Sequence, residues 1–428
     1  MLKVQIGGNM YKLKKIFSPR SMIVWLTAII FLISFQFANQ PSQTQTQAVV
    51  RAIVIDKQQD DQVTASVLVV TSMPQGANKF KVFTSEGETL TQTINKLSLQ
   101  MGKDIGFGQC DVMAVGEGIC KGDATLVLDY LTRTRKVGRN AVLINFSGDS
   151  EDFANCIVQF QENFSLNIAD IVNYNQTNIS ATESSVESFF KGYYSPIGIS
   201  VMPKISVYNE KVPNSVKVPL PNGGGGASSS QSGDSSGGGG GQTQKEVYFV
   251  NDGTTSVFKN GVKFIEYSPT EMSFINLLEN EDIYGNFKLD NITSDIYNNA
   301  TLMLQLTYKT LDAKYYFKDN TPCVKYSIDM YVRVEEVIEQ GRNQDLLHAE
   351  NWSVDDVVVE RIKQHTTNNL DLSLNDLKQN NADIVKVYEN FNKFKHKKWK
   401  KYLESLEDKD QYLKNVQFEY DIKIFSEY

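Results

Sequence analysis

The chain has 428 residues, 41% of them hydrophobic, with 43 Lys plus Arg against 50 Asp plus Glu, a formal net charge of −7. That length fits two or three packed domains of ~150 residues each, and the acidic balance argues against a protein that wraps nucleic acid, which needs a positive field over the phosphates. With 3 His and 4 Cys the chain is poorly supplied for a His/Cys metal cluster or a dense disulfide framework.

Lys3, Lys12, Lys14, Lys15 and Arg20 precede the first acidic residue. Met22 to Ala38 then reads MIVWLTAIIFLISFQFA, with Met22, Ile23, Val24, Trp25, Leu26, Ile29, Ile30, Phe31, Leu32, Ile33 and Phe35 as its large apolar side chains. As a helix this run spans roughly 25 Å, just under the ~30 Å hydrocarbon core, so length leaves a cleaved signal and a retained span both open. Gln36-Phe37-Ala38 supplies one of the two small residues that a cleavage site needs, which favours a retained anchor. The basic start then stays in the cytoplasm and everything after Asn39 lies outside. Residues 1–47 are thus read as basic start, membrane anchor and polar tether.

Residues 48–205 read as a mixed α/β domain. Ala48 to Asp56 and Val63 to Val70 are strands rich in Val and Ile. Ser85 and Glu88 have the spacing of a capping box, followed by the helical stripe Leu90, Ile94, Leu97 and Met101. Gln109 to Val115 is a short strand; Ala124, Val127, Leu128 and Leu131 mark a second helix; Arg139 to Phe146 is a strand; Phe153, Cys156, Ile157 and Phe160 mark a third helix. A short helix near Ser184 to Lys191 and a strand near Ile197 to Ile205 close the block.

Residues 206–244 are read as a linker, since Gly223 to Gly241 holds only Gly, Ser, Ala, Gln and Asp, a composition that behaves as random coil. Residues 245–298 are read as a small middle domain. Val247 to Val250 and Thr255 to Phe258 are strands turning at Asn251-Asp252-Gly253, Lys259-Asn260-Gly261-Val262 is a second hairpin turn, and Ser268-Pro269-Thr270-Glu271 opens a short helix. Residues 299–428 are read as an α+β domain: runs Ala300 to Leu311, Ala313 to Lys318 and Cys323 to Ile338 as an antiparallel sheet, a long helix packed on it, and a last strand near Val416 to Phe425. Ser353 to Asp356 caps that helix, and Val354, Val358, Ile362, Leu370, Leu374, Leu377, Ile384, Tyr388 and Phe391 form one continuous stripe. The whole is an α+β protein with an N-terminal anchor and two or three mixed domains.

Taken in order, these landmarks resemble the C-subunit family of spore germinant receptors. The segments AVVRAIVID, GFGQCDVMAVGEGI and LVLDYLTRTRKVGRN resemble its first domain, and TSVFKNGVKFIEYSPTEMSFINLL and NNADIVKVYENFNKFKHKKWKK resemble its last, over residues 48–205 and 245–428. Members of that family usually carry a lipidated cysteine at the end of the signal. Here Phe37-Ala38-Asn39-Gln40-Pro41 stands at the matching place and no Cys precedes Cys110, so lipidation is not expected and Met22 to Ala38 must itself hold the membrane. The resemblance implies a non-enzymatic receptor subunit outside the membrane, acting in germination with a multi-span transporter-like subunit and a further membrane subunit. It leaves open whether this chain touches the nutrient.

The residues themselves carry little chemistry. His348, His365 and His396 stand alone, Gly106-Phe107-Gly108 lacks the third glycine of a dinucleotide loop, and no nucleophile–base motif occurs, so no catalytic, metal-binding or cofactor-binding residue is expected. Cys110 and Cys120 flank one strand and are free to pair outside the membrane; Cys110 and Cys156 also read as small buried hydrophobes. Lys393, Lys395, Lys397, Lys398, Lys400 and Lys401 around Trp399 read either as a contact for anionic headgroups or as a solvated helix end neutralised by Glu404, Glu407 and Asp408. The alternative to the receptor reading is a membrane-tethered binding or scaffold protein unrelated to sporulation.

Overall fold

The structure, a computed structural model, describes residues 26–31, 47–58, 60–72, 78–164, 169–170, 184–220, 245–279, 284–338 and 354–427. The chain divides into two compact units at Ala48. In the first, residues 26–31 are helical, and Leu26, Ile29, Ile30 and Phe31 are each more than half exposed. No helix among the described residues is long and apolar enough to cross a membrane; the rest of the run from Met22 to Ala38 lies outside them.

The second unit holds two sheets. The larger begins with β1 (Gln47–Lys57), β2 (Val63–Ser72) and β3 (Asn78–Gly87), and continues through β4 (Asp104–Gly106), β5 (Val112–Gly116), β6 (Val142–Ser147), β7 (Ile199–Tyr208), β8 (Val216–Pro219), β9 (Glu246–Val250), β10 (Thr255–Lys259) and β11 (Val262–Tyr267). Its main order is β11-β10-β7-β6-β5-β1-β2-β3, with β4 on β1, and β9 pairing both β7 and β8. The centre, β7-β6-β5-β1, is parallel, and its strands are buried on both faces: Ala52, Ile53, Val54 and Ile55 are all within 2% of full burial. Such runs need cover on both sides. Helix α1 (Leu90–Met101) buries Ile94 and Leu97 against β2 and β3, and helix α4 (Ser150–Phe164) packs Phe153, Ile157 and Phe160 with Val54, Ala114 and Ile144. Between them lie the short helices α2 (Glu117–Cys120) and α3 (Ala124–Asp129), the latter running into a π turn at Tyr130–Thr134. Helix α5 (Val186–Tyr193) lies on β7.

The second sheet has the order β12 (Gly285–Ile292), β13 (Ala300–Lys318), β14 (Thr321–Ile338), β15 (Gln417–Ser426). Helix α6 (Pro269–Leu277), α7 (Asp356–Asn380) and α8 (Val387–Glu404) supply the apolar side chains of its core. Trp399 is 1% exposed and stacks on Phe391 at 4.8 Å and on Tyr402 at 5.2 Å. The same core takes in Ile199, Val257 and Tyr267 of the larger sheet, so the two sheets share one interior.

Several expectations change. Ser85 lies in β3, and α1 is capped instead by Thr89, whose side chain accepts from Gln92 N. The residues after Val250 make no turn: β9 pairs with Ser206–Tyr208 and β10 with Ile199–Pro203, so both run along β7 in succession, linked by Lys204 N to Thr254 O at 2.8 Å. The turn at Asn260-Gly261 does form, with φ of 51° and 82°, and a Cβ on Gly261 would strike Asp123. The segment 245–298 is thereby divided, its strands β9–β11 completing the first sheet and β12 joining the second. The two runs 300–311 and 313–318 are one strand, β13. The C-terminal sheet is mixed, because β15 pairs parallel to β14 after a crossover through α7 and α8. The continuous stripe from Val354 to Phe391 is broken by left-handed Asn381 and Lys386, which end α7 and open α8. Folded chain extends past Ile205 to Leu220, through β7 and β8; Gly223 to Gly241 lies outside the described residues. The flanks of that run are hydrogen-bonded to each other, Leu220 N to Lys245 O at 2.9 Å, continuing the antiparallel β8–β9 pair.

Candidate functional site

In open α/β sheets, ligands commonly bind beyond the carboxyl ends of parallel strands. Here the protein's own side chains fill that place. Asp56, at the end of β1, accepts from Gly118 N at 3.0 Å, and a Cβ on Gly118 would collide with the Lys57 carbonyl. Burial raises the Asp56 carboxyl above its ordinary range, against the backbone donors of Lys57, Gly118 and Ile119. Glu117, which opens α2, is ion-paired with Lys263 of β11 and lies 3.6 Å from Lys204 of β7; Lys204 and Lys263 each reach Glu266 at 2.8 Å. Behind them the fully buried Asn145 donates to Val115 O at 3.1 Å and accepts from Ser256 Oγ at 2.8 Å. These bonds join residues on the two sides of the Gly/Ser run.

A cavity of about 470 Å³ lies between the edge of the larger sheet and the helices that cover the second. Helix α5 and β7 form one wall, with Ser188 and Ser200; α6 and the turn before α8 form the other, with Met272, Asn276, Asp383 and Lys386. The turn owes its shape to Asp383. Its carboxylate accepts from Val387 N and Tyr388 N, both at 2.8 Å, and from Tyr412 Oη at 2.6 Å, which caps α8 from inside the fold. Burial raises the Asp383 carboxyl, opposed by those three donors. Lys386, at φ 54°, extends its ammonium to both oxygens of Glu279 at 3.1 Å. Burial likewise raises Glu279, opposed by Lys386. Glu279, Asp383 and Lys386 are thus engaged in holding this wall together. A second, more open hollow of about 640 Å³ lies beside the π turn, between Arg133, Arg139, Phe190 and Tyr194, with Asp129 and Glu187 neutralising Arg133 and Lys191.

The four cysteines are free and buried, so Cys110 and Cys120 are not joined. Burial pushes the thiols of Cys110 and Cys156 up to about 12 and Cys120 higher still, which leaves them protonated and unreactive. His365 sits between Phe274 and Phe287, with ring centroids at 5.8 and 6.2 Å, and burial lowers its pKa. His396 is exposed, Nδ1 lying 2.9 Å from Asn392 Oδ1, and His348 lies outside the described residues. Among the described residues no three metal-ligating side chains cluster. The lysines 393 to 401 are all exposed, while Trp399 points inward. None of these lysines is ion-paired among the described residues, so Glu404, Glu407 and Asp408 do not neutralise them by contact. Sequence reasoning missed Glu279 and Asp383; the only signal was the polar Asn-Asn-Ala-Asp break inside an apolar stripe.

Residues 41–207 match the family model described as the spore germination protein N-terminal domain, and residues 254–425 match that described as spore germination B3/GerAC like, C-terminal. No curated protein matches. Among solved structures, one described as the crystal structure of the GerBC protein aligns at 11% identity over 87% of this chain and 96% of its own, with a TM-score of 0.45.

Proposed function

The chain belongs to the GerAC-like family of spore germination proteins, as a C-type germinant receptor subunit, and from that premise we propose that it works without catalysis, as a membrane-held assembly partner. The observation that carries this reading is the ordered match of both family domains, over 41–207 and 254–425 of one chain. In the proposal, the apolar run from Met22 to Ala38 anchors the protein in place of a lipid, and residues 48–428 face outward from the spore inner membrane. There they assemble with a multi-span transporter-like subunit and a further membrane subunit. Two features support the non-enzymatic part: Asp383 and Glu279 of the cavity are tied to a helix cap and to Lys386, and the place beyond the parallel strands carries ion pairs.

Deleting the gene and following nutrient-triggered loss of refractility tests the role. Germination is expected to fail with the cognate nutrient and to return when the gene is restored; unchanged germination in a strain without paralogues overturns the proposal. The anchor has its own measurement. An N-terminal tag is expected on the full-length membrane form, and release of a fragment starting near Asn39 contradicts a retained span.

A further inference from the structure

Helix α8 divides its side chains sharply. Phe391, Trp399 and Tyr402 are buried and face the second sheet, while Lys397, Lys400 and Lys401 recur at i, i+3 and i+4 on the opposite, exposed face, and Lys393 is exposed on the turn before the kink at Lys395. Lys395, at a kink with φ −135°, and Lys398 are exposed as well. Beside them Phe394 is 56% exposed, its ring stacked on Tyr315 at 6.0 Å. Lys397 and Lys401 are like charges at i and i+4, which repel. No carboxylate among the described residues comes within ion-pair distance of these lysines, though Glu389 and Glu404 share the helix. The chain as a whole is acidic, at −7, which makes the basic face a local exception and not part of a general field.

We propose that the exposed face of α8 docks on an anionic lipid surface, with the lysines at the headgroups and Phe394 at their level. The occupant is chosen by charge and by attachment. This step rests on the anchor proposed above, which joins the folded unit to a bilayer through the few residues from Asn39 to Gln47. A planar, multivalent anion suits a cluster of exposed lysines, whereas a single acidic side chain of a partner would answer only one of them.

The test uses the full-length chain with His396→Cys carrying an environment-sensitive fluorophore; the native cysteines are buried and stay unlabelled. The protein is reconstituted into vesicles of phosphatidylcholine alone or with one part in three phosphatidylglycerol. A blue shift is expected only with phosphatidylglycerol, reversed by high salt, which shortens the screening length. Replacing Lys393, Lys397, Lys400 and Lys401 together with Gln, with circular dichroism unchanged, is expected to lower the phosphatidylglycerol-dependent signal by at least about tenfold, since each lysine near an anionic surface contributes roughly fivefold. Equal emission in both vesicles, or a shift that survives the Gln replacements, overturns the proposal. A response to polyglutamate but not to phosphatidylglycerol reassigns the face to an acidic protein and also overturns it. Flotation with phosphatidylcholine vesicles reports on the anchor separately. A chain that floats without a phosphatidylglycerol shift refutes the lipid face alone. A chain that fails to float refutes the anchor, and the lipid face is then read by adding phosphatidylglycerol vesicles to the free protein.

Discussion

Asp383 holds three donors at once inside the fold, and its removal and its titration both have measurable effects. Asp383→Ala leaves Val387 N, Tyr388 N and Tyr412 Oη unpaired in a buried place. Stability is expected to fall by about 2–4 kcal/mol, seen as a lower urea midpoint at constant slope. Burial raises its carboxyl, so over a window starting near ~3.9 the native state binds a proton that the unfolded chain has lost. Its contribution is therefore full below that value and declines as pH rises through the window. Asp383→Asn should flatten this part of the stability–pH curve. His365 works with the opposite sign. Its pKa is lowered by burial between two phenylalanines, so the unfolded chain takes up the proton first, and the stability present above ~6.5 is lost as pH falls. His365→Leu should lose less stability between pH 7 and pH 5 than the parent, by thermal melts at both values.

Among the elements, α2 is held where two backbones nearly touch. Gly118→Ala would press a methyl into the Lys57 carbonyl and force β1 and α2 apart. A loss of about 1–3 kcal/mol is expected in urea unfolding, since overpacking displaces the backbone. Elements of this kind explain what the sequence could and could not announce. Leu90, Ile94 and Leu97 announced α1 because burial on one face imposes a helical period, and Ser268 with Glu271 announced α6 because capping needs those groups at that spacing. Ser85 misled because a serine three residues from a glutamate also fits a strand, and Phe80 and Val82 pack inward from β3. The break between α7 and α8 was marked only by the polar Asn-Asn-Ala-Asp: Asn381 and Lys386 take left-handed backbone without a glycine or proline, stabilised by the Asp383 contacts beside them. Direction was equally hidden in β15, whose alternation is the same whether it pairs parallel or antiparallel to β14. The cavity beside β7 was invisible for a related reason, since its walls come from residues 188 to 201 and 272 to 389, far apart in the chain.

For the molecule as a whole, the Gly/Ser run changes meaning. Composition marked it as a random-coil linker between two folded blocks, but Leu220 and Lys245 bond to each other, so the run joins two paired strands. Replacing residues 221–244 with Asn-Gly, a turn suited to β8 and β9, should leave the fold intact and raise stability by about 2 kcal/mol through the shorter closure, measurable by urea unfolding. The sheet, meanwhile, ignores the run altogether. The chain before Gly223 lacks β9 and β10, the partners of β7, and the chain after Gly241 carries those strands without β7. A chain severed within 221–244 is therefore expected to yield halves that close only in each other's presence, so that reassembly of separately encoded fragments would report, inside the developing spore, when and where this subunit completes its fold.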